Sequence, residues 1–155
     1  MKTISLDGKM LQTIVAAMKR CEIFSGIKDF LLSNIASRAV LCQYDPDEII
    51  IREKEPSDSF FLLIHGKVAV LHAVEEDKEP LELTRIDPPS IIGEISVLLD
   101  QPRTATLKSV DKTLILKFNS HLFIWMFENV PSFGICISRS LASRVQQLTT
   151  QLKSN

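Results

Sequence analysis

Cysteine is sparse in this chain of 155 residues, which contains only Cys21, Cys42 and Cys136. The three are odd in number, far apart in sequence, and lack the CxxC spacing of a structural zinc or redox site. A disulfide framework is therefore not indicated, and the chain is long enough to form a stable core without one. We expect free thiols and a cytoplasmic location, since reducing compartments keep such cysteines unpaired.

No charge of one sign prevails either. The chain has 18 basic and 19 acidic side chains, which gives a formal net charge of -1. A balanced surface offers no general attraction to nucleic acid or to acidic membranes. No apolar segment approaches the roughly 20 residues of a membrane span, and Lys19 and Arg20 end the first apolar stretch before it resembles a signal peptide. We expect one domain over residues 1–155 that contacts neither DNA nor a membrane directly.

Histidine is scarce as well, and His65, His72 and His121 lie in unrelated sequence contexts. A metal-dependent enzyme of the cupin type requires clustered histidines and a carboxylate as ligands. Such an enzyme is the less favoured alternative. We expect no catalytic residues, no metal and no cofactor in this chain.

What the chain does contain is a short polar motif after an apolar segment, GEISVLLDQPRTATL at residues 93–107. Gly93 allows the backbone to approach a ligand closely. The amides at the start of a short predicted helix, Glu94 to Leu99, lie at the positive end of a helix dipole. Arg103 adds a planar fork of donors that matches two phosphate oxygens. The motif therefore predicts a phosphate-binding site.

Glu94 is the unexpected member of this motif, because a carboxylate repels a neighbouring phosphate. A sugar hydroxyl is the natural partner for the acid, so the motif suggests a ligand in which a ribose and a phosphate lie close together. The alternative is a salt bridge between Glu94 and Arg103 in a domain that has lost its ligand.

The hydrophobic period of the sequence changes twice. Residues 8–37 show helical spacing, residues 39–118 form short β-rich runs, and residues 120–152 return to helical spacing. The runs are separated by turn-forming groups, and they predict an α+β, mainly β, chain with an eight-stranded jelly-roll β-sandwich, N-terminal helices and two C-terminal helices. The runs are 39–44, 49–52, 60–64, 67–74, 81–85, 91–92, 104–109 and 114–118.

The last predicted helix has an apolar stripe with alternating spacings of four and three residues. Such a stripe either covers the sandwich or forms a homodimer with a second copy of the chain. Its members are Ile137, Leu141, Val145, Leu148 and Leu152.

The motif at 93–107 resembles the phosphate-binding cassette of the cyclic nucleotide-binding domain family, as found in the sensor domain of bacterial catabolite activator-type proteins. The similarity extends to IFSGIKDFLLSNIA at 23–36 and to HGKVAVLHAV at 65–74, which look like the entry segment and central hairpin of that family. The resemblance implies that Arg103 binds the cyclic phosphate and that Glu94, with Gly93, takes the ribose 2'-hydroxyl. The other implied phosphate contacts are Ser96, Ile95, Thr104 and Ala105.

The resemblance also implies a wall around the base, in which Thr149 is the favoured base contact. The wall consists of Val70, Leu83, Thr84, Ile92, Arg144, Leu148 and Thr149. The resemblance favours cAMP over cGMP as the ligand, because the hairpin looks most like that of bacterial cAMP receptors. The implied function is a sensor that transmits ligand binding through its C-terminal helix to a partner or an attached effector. The alternative is a degenerate, ligand-free domain that acts as a protein-interaction module.

The chain departs from the family at turns between its early strands, where glycines are common. Here the sequence has Pro46-Asp47, Lys54 and Ser57 instead. We expect these turns to lie away from the phosphate site and to alter loop geometry rather than binding.

Overall fold

The computed structural model describes residues 1–5, 7–73 and 79–153 of the chain. The strands are β1 Lys2–Ile4, β2 Val40–Tyr44, β3 Ile49–Ile51, β4 Ser59–His65, β5 Val68–His72, β6 Leu81–Ile86, β7 Ser90–Ile92, β8 Thr106–Ser109 and β9 Thr113–Asn119. The helices are α1 Gly8–Lys19, α2 Glu22–Ser25, α3 Asp29–Ala36, α4 Glu94–Leu98, α5 Ser120–Asn129 and α6 Pro131–Lys153. The end of the predicted 67–74 strand lies outside the described residues.

The strands form two antiparallel sheets that face each other. One sheet has the order β1-β2-β9-β4-β7 and the other has the order β3-β8-β5-β6. This confirms the predicted jelly-roll sandwich, and the ends of the eight predicted strands either coincide with the observed ones or differ by at most two residues. Strand β1 was not predicted; it pairs with β2 and places Thr3 opposite Cys42.

Strand β4 lies between two hydrophobic cores. Side chains alternate across a strand, so Phe60 and Leu62 pack against the helices while Phe61 and Leu63 pack between the two sheets. Both faces of β4 are therefore covered, which explains why its sequence is apolar throughout instead of alternating.

A row of aromatic rings connects the sandwich to the C-terminal helices. Phe60 stacks on Phe118 at 4.9 Å between ring centroids and meets the edge of Phe123 at 5.0 Å. Phe123 contacts Phe133 at 5.4 Å, and Phe133 contacts Phe24 at 5.8 Å. These contacts fix the first turns of α6 against α2, α5 and the sheet.

We expect Phe60→Ala to lower the free energy of unfolding by about 3–5 kcal/mol, because it removes a fully buried ring and leaves a cavity. Phe30→Ala is the matched control: that ring is 86% exposed, and its loss should change stability by less than about 0.5 kcal/mol. Urea unfolding of both variants provides the measurement. Equal losses in the two variants would contradict the assignment of Phe60 to the core.

Candidate ligand-binding site

A cavity of about 680 Å³ lies between the second sheet, the 93–107 segment and α6. Its volume is within the range of small-molecule sites, which is about 300–1,000 Å³. All the residues predicted for the ligand site line this cavity except Thr149. Those that do are Val70, Leu83, Thr84, Ile92, Gly93, Glu94, Ile95, Ser96, Arg103, Thr104, Ala105, Arg144 and Leu148.

The 93–107 segment begins with a backbone conformation that favours glycine. Gly93 has φ of 81° and immediately precedes α4. A Cβ atom at this position would lie 2.8 Å from Nη1 of Arg103. Glycine is thus needed both for the left-handed backbone and for the close approach of the arginine. Because α4 has only five residues, its dipole adds little, and Arg103 is the main positive charge of the segment.

Arg103 is buried, with 5% of its surface exposed. Its Nη1 donates to the carbonyl of Gly93 at 3.0 Å, and its Nη2 donates to the carbonyl of Ser59 and, at 3.2 Å, to the Ser59 hydroxyl. Its guanidinium also lies over the ring of Phe61, 5.7 Å from the centroid. Burial lowers the pKa of Arg103, because the charged form is poorly solvated.

Within the described part of the chain, Arg103 forms no ion pair with a carboxylate. The alternative of a Glu94–Arg103 salt bridge is therefore wrong. The hydrogen-bond acceptors of this buried cation are all neutral, and the carboxylates of Asp58 and Glu55 raise its pKa from nearby without forming an ion pair. Its charge is therefore only partly compensated, which favours an anion in the cavity.

The backbone of Arg103 is fixed by the turn at residues 54–57. The amide of Lys54 donates to the carbonyl of Arg103 at 2.8 Å, and the amide of Arg103 donates to the carbonyl of Glu55 at 2.8 Å. The Ser57 hydroxyl donates to the carbonyl of Ser96 at 3.2 Å. The expectation that Lys54 and Ser57 lie away from the site is wrong. Lys54 has φ of 70°, a left-handed conformation that glycine adopts most easily, in a region where the family commonly has glycines.

Glu94 has a buried carboxylate that pairs with Arg144 of α6. Nη1 of Arg144 donates to Oε1 of Glu94, and the side chains are 46% and 5% exposed, respectively. Arg144 therefore lies at the cavity as predicted, but its guanidinium contacts the acid predicted for the ribose. No local sequence signal indicated this pair, because its members are 50 residues apart.

On α6, the polar residue that the structure places at the cavity is not the one favoured by the prediction. Thr149 is exposed, and its hydroxyl donates to the carbonyl of Val145 in its own helix at 2.9 Å. Gln147 lines the cavity instead. Leu83 and Leu148 line the open side of the cavity and remain 55% and 61% exposed, respectively.

Residues 1–5, 7–73 and 79–153 contain no group of three or more His, Cys, Asp or Glu side chains placed to hold a metal ion. In the same residues, no helix is both long and apolar enough to span a bilayer.

Comparison with known proteins identifies the family. The model of the cyclic nucleotide-binding domain matches residues 41–130, which is more than half of the chain. The chain belongs to the cyclic nucleotide-binding domain family. It is a regulatory domain of that family, and the segment at 93–107, which we call the cassette, lies within the matched residues.

Relatives place this domain in larger proteins. Acetyltransferase Pat of Mycolicibacterium smegmatis is 33% identical over 107 residues, which cover 69% of this chain and 32% of that protein. The chain spans less than a third of the length of the curated relatives it matches, which include an acetyltransferase, a lysophospholipase and a potassium channel. Domains of this family therefore occur in enzymes as well as in channels.

Solved structures show the same fold. The sensor domain of the transcriptional regulator DNR from Pseudomonas aeruginosa matches with a TM-score of 0.79 at 15% identity, over 92% of this chain and 95% of that one. The catabolite activator protein of Thermus thermophilus matches with a TM-score of 0.73 at 19% identity, over 85% of this chain and 62% of that one. At these identities the similarity concerns the fold alone.

We expect Gly93→Ala to destabilise the domain by about 1–2 kcal/mol, because a left-handed backbone is costly for any residue with a Cβ. The new methyl group would also displace the Arg103 guanidinium, which lies 2.8 Å from its position. Gly8→Ala is the matched control, since nothing lies within 4 Å of its added Cβ. Thermal and urea unfolding of both variants measure the difference, and a neutral Gly93→Ala would contradict the packing described here.

Proposed function

We propose that this chain is a sensor that binds cAMP, in preference to cGMP, in the cavity beside the cassette and transmits binding through α6 to a partner or an attached effector. The proposal rests on Arg103, a buried cation that lines the cavity and has no carboxylate partner in the described part of the chain. A cyclic phosphate would supply the missing negative charge.

The cavity lining supports a division of roles around that phosphate. Arg103 provides the planar donor fork, with Ser96, Ile95, Thr104 and Ala105 beside it on the same wall. Glu94, next to Gly93, accepts from the ribose 2'-hydroxyl. Seven of the other lining residues are proposed to surround the base: Val70, Leu83, Thr84, Ile92, Arg144, Gln147 and Leu148.

Support for cAMP comes from the relatives. A solved structure of a cAMP-binding acyltransferase from Mycobacterium smegmatis is 26% identical to this chain, with a TM-score of 0.71 over 91% of this chain and 43% of that one. This chain lies within the same family, and its cassette keeps the arginine that a phosphate requires. cGMP is the competing ligand.

The outer half of α6 provides the proposed output. Ile137 is 1% exposed and belongs to the domain's own core, so its assignment to a dimer seam is wrong. Leu141 is only partly buried in that core, while Val145, Leu148 and Leu152 are more than 60% exposed. We propose a homodimer through these four residues, which sedimentation equilibrium would detect directly.

The chain itself is proposed to have no catalytic activity and no direct contact with DNA. Its relatives include an acetyltransferase and a lysophospholipase, so an attached enzyme is a candidate effector. A cytoplasmic location agrees with the three cysteines, which are all free.

A second candidate function is that of a ligand-free interaction module. One observation favours it: within the described residues, every buried side-chain nitrogen and oxygen already has a hydrogen-bond partner without a ligand. A thermal-shift titration separates the two functions. A ligand at one hundred times its Kd stabilises a domain by about 2.7 kcal/mol, whereas an interaction module would show no shift with cAMP or cGMP.

We expect Arg103→Ala to weaken cAMP binding by about 100-fold, because each charge-assisted hydrogen bond contributes about 1.5–3 kcal/mol. Arg103→Lys should retain part of the affinity, since it keeps the charge but loses the fork. Arg38→Ala is a control at an exposed arginine that does not line the cavity. Isothermal titration calorimetry measures all four proteins. Unchanged affinity in a folded Arg103→Ala variant would exclude this site for the phosphate.

A further inference from the structure

Two of the three cysteines line a second cavity of the domain. This cavity, of about 530 Å³, lies between α2, the segment at 89–91 and α6. Cys21, which directly precedes α2, and Cys136, in the second turn of α6, both line it. The third cysteine, Cys42, is buried between the two sheets. The proposed ligand site gives no role to either thiol of the second cavity.

The packing of α2 against α6 brings these two cysteines together. At one end of α2, a Cβ atom on Gly26 would lie 2.9 Å from the Cβ atom of Ser132. Ser132 and Cys136 are four residues apart and therefore share one face of α6. Cys21 lies at the other end of α2 and lines the same cavity as Cys136. The two helices thus run in opposite directions, with Cys21 beside Cys136.

The two thiols differ in their access to solvent. Cys21 is 4% exposed, whereas Cys136 is only partly buried. Burial raises the pKa of the Cys21 thiol, and the nearby charges of Glu22 and Cys136 raise it further. The thiolate is the reactive form of cysteine. A dissolved oxidant therefore reaches Cys136 first, with the protected thiol of Cys21 next to it.

We propose that Cys21 and Cys136 form a reversible oxidation site for peroxides, in which Cys136 is the attacked thiol and Cys21 is the resolving thiol. The sulfur of Cys136 attacks one oxygen of hydrogen peroxide, the O–O bond breaks, and the leaving hydroxide takes up the thiol proton as water. Cys136 is then a sulfenic acid. The sulfur of Cys21 attacks the sulfur of Cys136 and displaces a second hydroxide, which leaves as water with the Cys21 proton. Two thiols and one peroxide give one disulfide and two waters.

The cavity suits both steps of this reaction. It has room for a molecule as small as hydrogen peroxide, since one water takes up about 30 Å³ in the liquid. The second step joins two groups that the fold already holds side by side, which favours it over reaction with a second chain. Disulfides that form in reducing compartments are usually transient and redox-sensing. The reaction needs no cyclic nucleotide, and it is thus independent of the proposed function.

Peptide mapping of the complete chain tests the proposal. The reduced protein is treated with hydrogen peroxide in native buffer, its free thiols are alkylated in denaturant, and its peptides are analysed by mass spectrometry without reduction. We expect the loss of two of the three free thiols, a linked peptide pair with Cys21 and Cys136, and an alkylated Cys42. Dithiothreitol should restore all three thiols.

The map tests the placement of the two cysteines directly, because a disulfide forms only between Cα atoms within roughly 7 Å. Three free thiols after peroxide treatment, a bond to Cys42 or a disulfide between two chains would overturn the proposal.

Single substitutions test the two roles. In Cys21→Ser, the sulfenic acid at Cys136 should accumulate, and its labelling by dimedone should exceed that of the wild type by about tenfold. In Cys136→Ser, Cys21 should remain a free thiol under the same peroxide treatment. Cys42→Ala is the matched control, and it should form the disulfide as fast as the wild type.

Circular dichroism shows whether each variant is folded, and the wild-type map decides the proposal where a variant is not. Equal dimedone labelling of the wild type and a folded Cys21→Ser would overturn the resolving role of Cys21. Oxidation of Cys21 in a folded Cys136→Ser, at the rate of the wild type, would overturn the role of Cys136.

Discussion

Arg103 lies almost fully inside the protein, where carbonyl groups of Ser59 and Gly93 accept its hydrogen bonds. Carbonyl dipoles stabilise a guanidinium only in part, since a buried charge is best compensated by an opposite charge. The fold nevertheless holds the side chain in place. Strand β4 supplies Ser59 at its first residue, β7 leads into Gly93, and the turn at 54–57 bonds the backbone of Arg103. The sandwich therefore holds a cation at the wall of the cavity.

Local patterns in the sequence predicted the elements that depend on neighbouring residues. Turn-forming groups separate the eight predicted strands, and the motif at 93–107 is one contiguous segment. The strands and the motif were therefore recognisable from the sequence. Strand β1 has only three residues and no periodicity, and it forms because β2 offers a free edge. The left-handed backbone of Lys54 was not predictable, because only its hydrogen bond to Arg103 shows why the chain adopts it.

The wrong predictions for residues of α6 have a common physical origin. Periodicity shows which residues share a helix face, but not which partner covers that face. Ile137 and Leu148 belong to one stripe, yet the first is in the core and the second is exposed. Successive residues are separated by about 100° around a helix, so Thr149 is directed away from the cavity that Leu148 lines. The pair of Glu94 and Arg144 depends on tertiary contact alone and leaves no pattern in sequence.

These contacts suggest how one domain serves many larger proteins. The core fixes the first turns of α6, while its outer half extends from the body of the domain and is bonded to the cassette through Arg144. Under the proposed function, a ligand bound in the cavity shifts the equilibrium between positions of that outer half. The relatives include an acetyltransferase, a lysophospholipase and a potassium channel. This variety is consistent with a helix that acts on different attached effectors.

The most direct test of the central claim is a crystal structure of the protein grown with saturating cAMP. We predict a phosphate oxygen within hydrogen-bonding distance of the Arg103 guanidinium and the ribose hydroxyl at Glu94. An empty cavity under those conditions, with Arg103 still bonded only to Ser59 and Gly93, would contradict the claim that this buried cation receives a cyclic phosphate.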